Sequence, residues 1–278
     1  PPPAVGQRAV RQRDVRGLLV VAGVDALLER LDIATPKRPD DRPRHDEEHR
    51  DGDDGAADVA TSIEMAQLLR VHNFGVSRDG YGAGVGQSYE RPFGHADPGQ
   101  LFAWAGATAS WPNRTEPGGS LGLDDYMTRE FHRNIGAEIM GRNKFGPFRG
   151  PWEDHSWQGW WGDEPPFHTP VFVLTHHERP SFTLGDTTFH FLDATPAEAL
   201  RQARAAADGK DVRLGGGTAT VREFLDADLV DTLHVAVAPV DLGEGERLWA
   251  GPDELDDRFH HDTVPSPSGV THHLYWRR

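Results

Sequence analysis

The chain has 278 residues, 44 acidic against 29 basic, a formal net charge of −15 and no cysteine. The acidity disfavours nucleic acid and anionic membranes as partners, because phosphate surfaces reward clustered Lys and Arg. Disulfides, thiolate metal sites and a cysteine nucleophile are excluded. No apolar run approaches the roughly 20 residues that cross a bilayer and no signal-peptide pattern opens the chain, so a soluble cytoplasmic protein is expected.

In chain order, the first 64 residues stand apart. Thr35 to Asp58 is almost entirely charge, Pro, Gly and Ala, too poor in apolar surface to offset the entropy of ordering. Val15 to Ile33 reads as a short strand, an amphipathic helix or a fragment without its own core. The first methionine is Met65. Residues 1–64 are therefore expected to be either a disordered tail or an extension outside the native product, with one folded domain over 65–278. From there "AQLLRVHNFGVS" reads as a strand with half-buried spacing. Two segments, Gly80 to Asp125 and Phe148 to Pro166, read as long Gly-, Pro- and Trp-rich loops, which in a compact domain are lids, binding loops or disorder. Between them "GAEIMGRNKFG" carries a strand into a Gly-Arg turn. "TPVFVLTHH" is a nearly continuous apolar run, the mark of a strand covered on both faces, and "TTFHFLD" alternates as another strand. Thr195, Pro196 and Glu198 form a capping-box start for a helix ending near Gly209. "VRLGGG" is a strand and turn, "TVREFLDADL" a helix, and "TLHVAVAPV" and "VTHHLYWRR" the last strands. This alternation implies an α/β domain with a mainly parallel sheet and room for a late antiparallel edge strand.

The three consecutive glycines ask for a reason, since glycine is costly to order. A strand that ends in a Gly-rich turn opening a helix presents free N–H groups and the positive end of the helix dipole. Gly215, Gly216, Gly217 and Thr218 thus read as a diphosphate cradle; a tight turn without ligand is the structural alternative. The P-loop is excluded because no lysine follows the turn, and "GYGAGVGQS" has G-x-G-x-G spacing with no helix after it.

The stretch "DVRLGGGTATVREFLDADLVDTLHVAVAPVDLGEGERLW" resembles the C-terminal half of the dihydrofolate reductase-like family, which includes the reductase domain of the riboflavin-pathway deaminase/reductase. "VSRDGYGAG", "AEIMGRNKF" and "VFVLTHH" extend the resemblance over about Ala66 to Arg278. It implies a three-layer α/β/α sandwich with a mostly parallel central sheet and an antiparallel C-terminal strand, and reduction by NADPH. It places Gly215, Gly216, Gly217 and Thr218 on the diphosphate, and Gly141 and Arg142 at a helix start facing the cofactor. Thr175 and His176 fall where the adenosine 2′-phosphate is met. The chain departs at Arg78, where the family has an apolar residue, and lacks both a hydroxyl in "GRNKF" and an equivalent of the buried acid that protonates folate. The deaminase half, whose zinc signature needs cysteine, is absent. The same cradle also suits a non-catalytic nucleotide-binding module.

Three further constellations remain, the first two with two readings each. Asp79, at the end of the first strand, is the candidate acid for proton supply or substrate orientation, or one half of an Asp-Gly turn. Trp152, Trp157, Trp160 and Trp161 form an aromatic lid or a structural loop, with Asp154, His155, Asp163 and Glu164 beside them for proton chemistry. The pairs His176–His177, His260–His261 and His272–His273 point to opposite strand faces, which disfavours a shared ion, so no metal site is assigned. A small-molecule substrate is expected, and "TLHVAVAPV" is a candidate for contacts in a homodimer.

A chain truncated before Met65 is expected to keep a cooperative thermal unfolding transition, because the removed segment has too little apolar periodicity to share the core. Differential scanning calorimetry of the two chains checks this; loss of the transition would move the domain boundary.

Overall fold

The computed structural model describes residues 66–278 apart from 113, 115, 116, 131 and 132. The expectations for residues 1–64 and for the boundary at Met65 lie outside the described residues. The first half holds β1 (Leu69–Ser77), β2 (Tyr81–Ala83), α1 (Pro98–Gly106), α2 (Leu123–Thr128), β3 (Ile135–Gly141) and α3 (Arg142–Phe145). Next come β4 (Val171–Leu174), β5 (Phe182–Leu184), β6 (Thr187–Leu192), α4 (Pro196–Ala206), β7 (Asp211–Leu214) and α5 (Thr218–Asp226). The chain closes with β8 (Thr232–Ala238), β9 (Glu246–Arg247), a 3₁₀ turn at Pro252–Leu255, β10 (Phe259–Pro265) and β11 (Thr271–Arg277).

Nine strands form one sheet in the order β10-β11-β8-β1-β7-β3-β4-β6-β5. The six from β8 to β6 run parallel, and β11, β10 and β5 close the two edges antiparallel. β2 and β9 pair separately. Helices cover both faces, so the expected three-layer, dihydrofolate reductase-like sandwich is the fold. The single late antiparallel strand becomes a hairpin. β8, read as a candidate contact strand, lies inside the sheet with neighbours on both sides.

Local chemistry explains most elements. Thr195 caps α4 through its hydroxyl on the Glu198 N–H. The reciprocal half of the capping box is not made, because Glu198 spends its carboxylate on Arg201 and Gln202. The segment read as a long loop over Gly80 to Asp125 contains α1. Asp97 accepts the Gly99 N–H and Pro98 opens the helix, a start signal that the surrounding glycines obscured.

The two faces of the sheet differ in kind. One is apolar: Leu69, Val71, Ala137, Ile139, Val212 and Leu233 pack under α4 and α5. The other carries buried polar side chains, among them Arg70, His72, Glu138, Arg213, His234 and His272. Half-buried spacing in β1 therefore does not mean solvent on its second face. A bulge between Val71 and Phe74 interrupts the β1–β8 register, and Asn73 sits there at φ +50°. A chain of hydrogen bonds holds it. The Asn73 N–H donates to His234 Nδ1 at 3.0 Å, so His234 Nε2 carries the proton and donates to His272 Nδ1 at 2.9 Å. His272 Nε2 in turn donates to Asp124 Oδ1 at 2.9 Å. His234 can accept the Asn73 N–H only while neutral.

Burial and the neighbouring Arg70 and Arg213 push His72 well below the usual histidine range. Burial and His272 do the same to His234, and burial and His261 bring His273 to about 4. The unfolded chain therefore binds protons that the folded chain refuses once the pH falls below about 6.5. Stability is complete above that pH and declines below it. The melting temperature should drop by on the order of 5 °C or more between pH 7 and pH 5, read by thermal melts at fixed ionic strength; a flat profile would show that these rings accept protons in the fold.

Candidate functional site

The C-terminal ends of β3, β4, β6 and β7 open onto one crevice, the usual ligand position of an open α/β sheet. The Gly215–Gly217 loop divides it. On one side is a cavity of about 90 Å³ lined by Phe74, Phe93 and Phe102 together with His72, Asn73 and Lys144. On the other is one of about 290 Å³, lined by Gly141, Arg142, Thr175, His176, Asp193 and Thr220. Gly217 and Glu246 border both.

Each glycine has its own physical reason. A Cβ on Gly215 would collide with the carboxylate of Glu138 and the ammonium of Lys144. Gly216 sits at φ +106° with the Phe74 ring 3.0 Å from a Cβ, a conformation that L side chains resist. Gly217 faces open space, the nearest atom to a Cβ being Glu246 Oε2 at 4.0 Å. Gly141 is needed because α5 comes so close that a Cβ would strike Thr220 Oγ1, and its N–H donates to the Gly216 carbonyl at 2.7 Å. Thr218 is buried as the first residue of α5. The N-terminus of α5 has no side-chain cap, unlike that of α4. Its first-turn N–H groups and dipole thus remain available to an anion.

The remaining cofactor candidates divide. The Arg142 guanidinium lies 3.7 Å over the Trp152 ring and Nη1 donates to the Gly150 carbonyl. Its Nε and Nη2 are buried without a partner, an arrangement that asks for an acceptor. Thr175 and His176 both border the larger cavity. The Thr175 hydroxyl accepts the His177 N–H at 3.2 Å, and His176, with its side chain 91% exposed, pairs with Asp193 at 2.9 Å. Arg149 also lines this cavity; its place within the loop "FGPFRGPW" gave no signal of that.

Asp79 is engaged at a turn, in keeping with the structural one of its readings. Its carboxylate accepts from the Ser77 hydroxyl at 2.6 Å and from the N–H groups of Leu242 and Gly243 at 3.0 and 2.7 Å. Burial would raise its pKa, but these hydrogen bonds outweigh it and hold the group below the usual carboxylate range. It staples the 241–243 turn to the end of β1 and borders neither cavity. Arg78 reaches outward to Asp241 and the Pro239 carbonyl, so a charge is tolerated where the family has an apolar residue.

The residues that sequence reasoning missed lie beneath the glycine loop. Glu138, 1% exposed, accepts from Arg213 Nε at 2.6 Å and from Lys144 Nζ at 3.1 Å. Lys144 also donates to the Gly215 carbonyl at 2.8 Å. The available signal was a charge inside an otherwise apolar parallel strand, in "AEIMG" and again in "VRLG".

The tryptophan segment is chiefly structural. Trp160 and Trp161 are buried with Met140, Phe145, Val173 and Phe189 against β3, β4 and β6. Arg179 lies within 5.4 Å of the ring centres of Phe145, Trp152, Phe182 and Phe191. Trp152 has a second part, as the platform under Arg142. Asp154, His155, Asp163 and Glu164 are exposed and border neither of the two crevice cavities. The histidine pairs split as the strand geometry requires: His272 turns to Asp124, and His273 to His261 on the other face. Asp253, Asp256 and His261 lie near enough to share a cation, away from the crevice. Among the described residues no helix is long and apolar enough to cross a membrane.

The sequence profile of the RibD C-terminal domain matches residues 71–262. No curated protein matches the chain. Among solved structures, a riboflavin biosynthesis protein from Shewanella sp. PV-4 is 18% identical, covering 76% of this chain and 99% of its own, with a TM-score of 0.42. A pyrimidine reductase-like protein from Corynebacterium diphtheriae is 16% identical, with coverages of 78% and 94% and a TM-score of 0.41. Dihydrofolate reductase from Enterococcus faecalis, complexed with NADP(H), is 17% identical over 51% of this chain and 74% of its own, with a TM-score of 0.34.

The three glycines should separate on substitution. Gly215→Ala forces a methyl into the Glu138–Lys144 contact and should cost about 1–3 kcal/mol, the usual range for overpacking. Gly217→Ala should melt within a few degrees of the parent, since its Cβ meets open space. Denaturant unfolding of both variants checks this, and equal losses would contradict the packing described.

Proposed function

Because the chain belongs to the RibD C-terminal domain family, we propose that it is an NADPH-dependent reductase, of the riboflavin-pathway reductase kind. It would act on a carbonyl, imine or similarly polarised bond of a small heterocycle. The observation that carries this reading is the divided crevice: a glycine loop and an uncapped helix N-terminus between a small aromatic cavity and a larger, cation-bearing one.

A dinucleotide has that shape, with a diphosphate between two ring systems. The residues fit it. Gly217 leaves the backbone open to a phosphate, Gly141 permits the close approach of β3 and α5, Gly216 takes the positive φ of the turn beside Phe74, and Thr218 opens the helix. The unpartnered donors of Arg142 match a phosphate or ribose acceptor, with Thr175, His176 and Arg149 bordering the same space. When bound, the nicotinamide supplies the hydride. The chain's own part is to orient the rings, exclude water with Phe74, Phe93 and Phe102, and hold the acceptor.

Asp193 favours a second reading of the cofactor. A carboxylate near an adenosine ribose hydrogen-bonds a 2′-hydroxyl and repels a 2′-phosphate, and Asp193 borders the larger cavity together with Glu223. Arg142 and Arg149 outweigh it in the NADPH reading, and His176 Nδ1 engages its Oδ1 at 2.9 Å.

Calorimetric titration should show NADPH binding more tightly than NADH, and Gly217→Ala losing at least about tenfold in NADPH affinity, or about 1.4 kcal/mol, without loss of fold. Preference for NADH would give the ribose to Asp193. Failure of both cofactors to bind would end the reductase reading.

A further inference from the structure

Within the reductase reading, the smaller cavity has walls of three phenylalanines and one ammonium that is only partly used. Lys144 is 10% exposed at its side chain and lines this cavity. An ammonium has three donors. One goes to Glu138 at 3.1 Å and one to the Gly215 carbonyl at 2.8 Å; the Phe167 ring centre lies 5.9 Å from Nζ, and no third hydrogen-bond acceptor is found among the described residues. The two fixed bonds take away the rotational freedom that makes an exposed lysine a poor recognition group.

Asn73 keeps a buried Oδ1 without a partner in the same wall, an acceptor rather than a donor, and two charged or titratable neighbours are placed differently. His72 receives the Arg70 Nε–H at 3.2 Å. Glu246 stands at the border with the larger cavity, within 3.5 Å of Asn143 Nδ2, and repels an anion. Asp79, the acid expected from the sequence, is occupied elsewhere. Phe74, Phe93 and Phe102 favour a flat, apolar ring, and about 90 Å³ admits one ring or the end of a larger molecule.

We propose that Lys144 is the substrate-recognition residue of this cavity: its third N–H donates to an oxygen or nitrogen acceptor on a planar ring lying among Phe74, Phe93 and Phe102. The ligand class is a single aromatic or heteroaromatic ring bearing a carbonyl, carboxylate or ring-nitrogen acceptor. The buried Glu138 and the glycine loop fix the ammonium, so its direction sets which edge of the ring carries the acceptor.

Benzoate is the probe, titrated into the cofactor-free full chain with intrinsic fluorescence or calorimetry as the readout. Lys144→Met removes the ammonium and leaves Glu138 with Arg213. The proposal expects benzoate to bind the parent and to lose at least tenfold in affinity in Lys144→Met. Benzyl alcohol, of the same size but uncharged, should bind the two proteins alike. A crystal structure of the parent with benzoate needs no variant and should place the carboxylate within hydrogen-bond distance of Lys144 Nζ. No binding of benzoate to the parent, equal binding to both proteins, or a carboxylate seated elsewhere would each overturn the proposal. NADPH affinity is measured on the same preparations. Loss of NADPH affinity in Lys144→Met with benzoate binding unchanged would assign the ammonium to the cofactor and also overturn it. Absence of NADPH binding to the parent, with benzoate titrated alone and still sensitive to Lys144, would remove the reductase reading and leave this site standing.

Discussion

The structure turns on one carboxylate. Glu138 sits in the middle of β3, inside a sheet covered on both sides, and holds Arg213 of the neighbouring β7 and Lys144 of α3. A buried charge is tolerated only with partners, and removing one partner of such a pair typically costs about 3–5 kcal/mol. Through Lys144 the network reaches the Gly215 carbonyl, and it fills the space a Gly215 side chain would need. The glycine at that position is therefore a consequence of the ion network as much as of any ligand. The loop that divides the crevice rests on a charged floor rather than an apolar one.

This floor belongs to a wider asymmetry. The face under α4 and α5 is an ordinary apolar core. The opposite face replaces much of that apolar contact by directed bonds: Arg70 to Asp211, Glu138 to its two cations, and the Asn73–His234–His272–Asp124 chain. Directed bonds specify geometry better than apolar contacts do, at the cost of needing every partner present. The bulge at Asn73 shows the effect. It opens the β1–β8 register beside the small cavity and is held there by the His234 imidazole, so the wall of the cavity depends on the protonation of a residue on the adjacent strand.

The aromatic segment completes the same face. In place of a helix, Trp160, Trp161 and Phe167 cover β3, β4 and β6. Trp152 donates to the His177 carbonyl at 3.1 Å and carries Arg142 on its ring. Packing and recognition thus share one segment: the rings that bury the sheet edge also set the plane of the guanidinium.

Local chemistry made much of this legible. Apolar run lengths gave the parallel strands, Thr195 and Pro196 gave α4, and the strand–glycine–helix order gave the turn between β7 and α5 and, through its resemblance to a family, the fold. These features depend on neighbours in sequence. What the sequence could not order was anything decided by approach in space. Asp79 had an inviting position, yet the 241–243 turn brings two N–H groups to it. Lys144 stood one residue beyond the Arg142–Asn143 pair and gained meaning only when β3 and β7 brought Glu138 and Arg213 around it. His234 and His272 are 38 residues apart and meet because β8 and β11 are adjacent. Hydrophobic periodicity and capping are short-range and can be read along a chain; the partner of a buried charge is chosen by the sheet order, which only the tertiary structure decides.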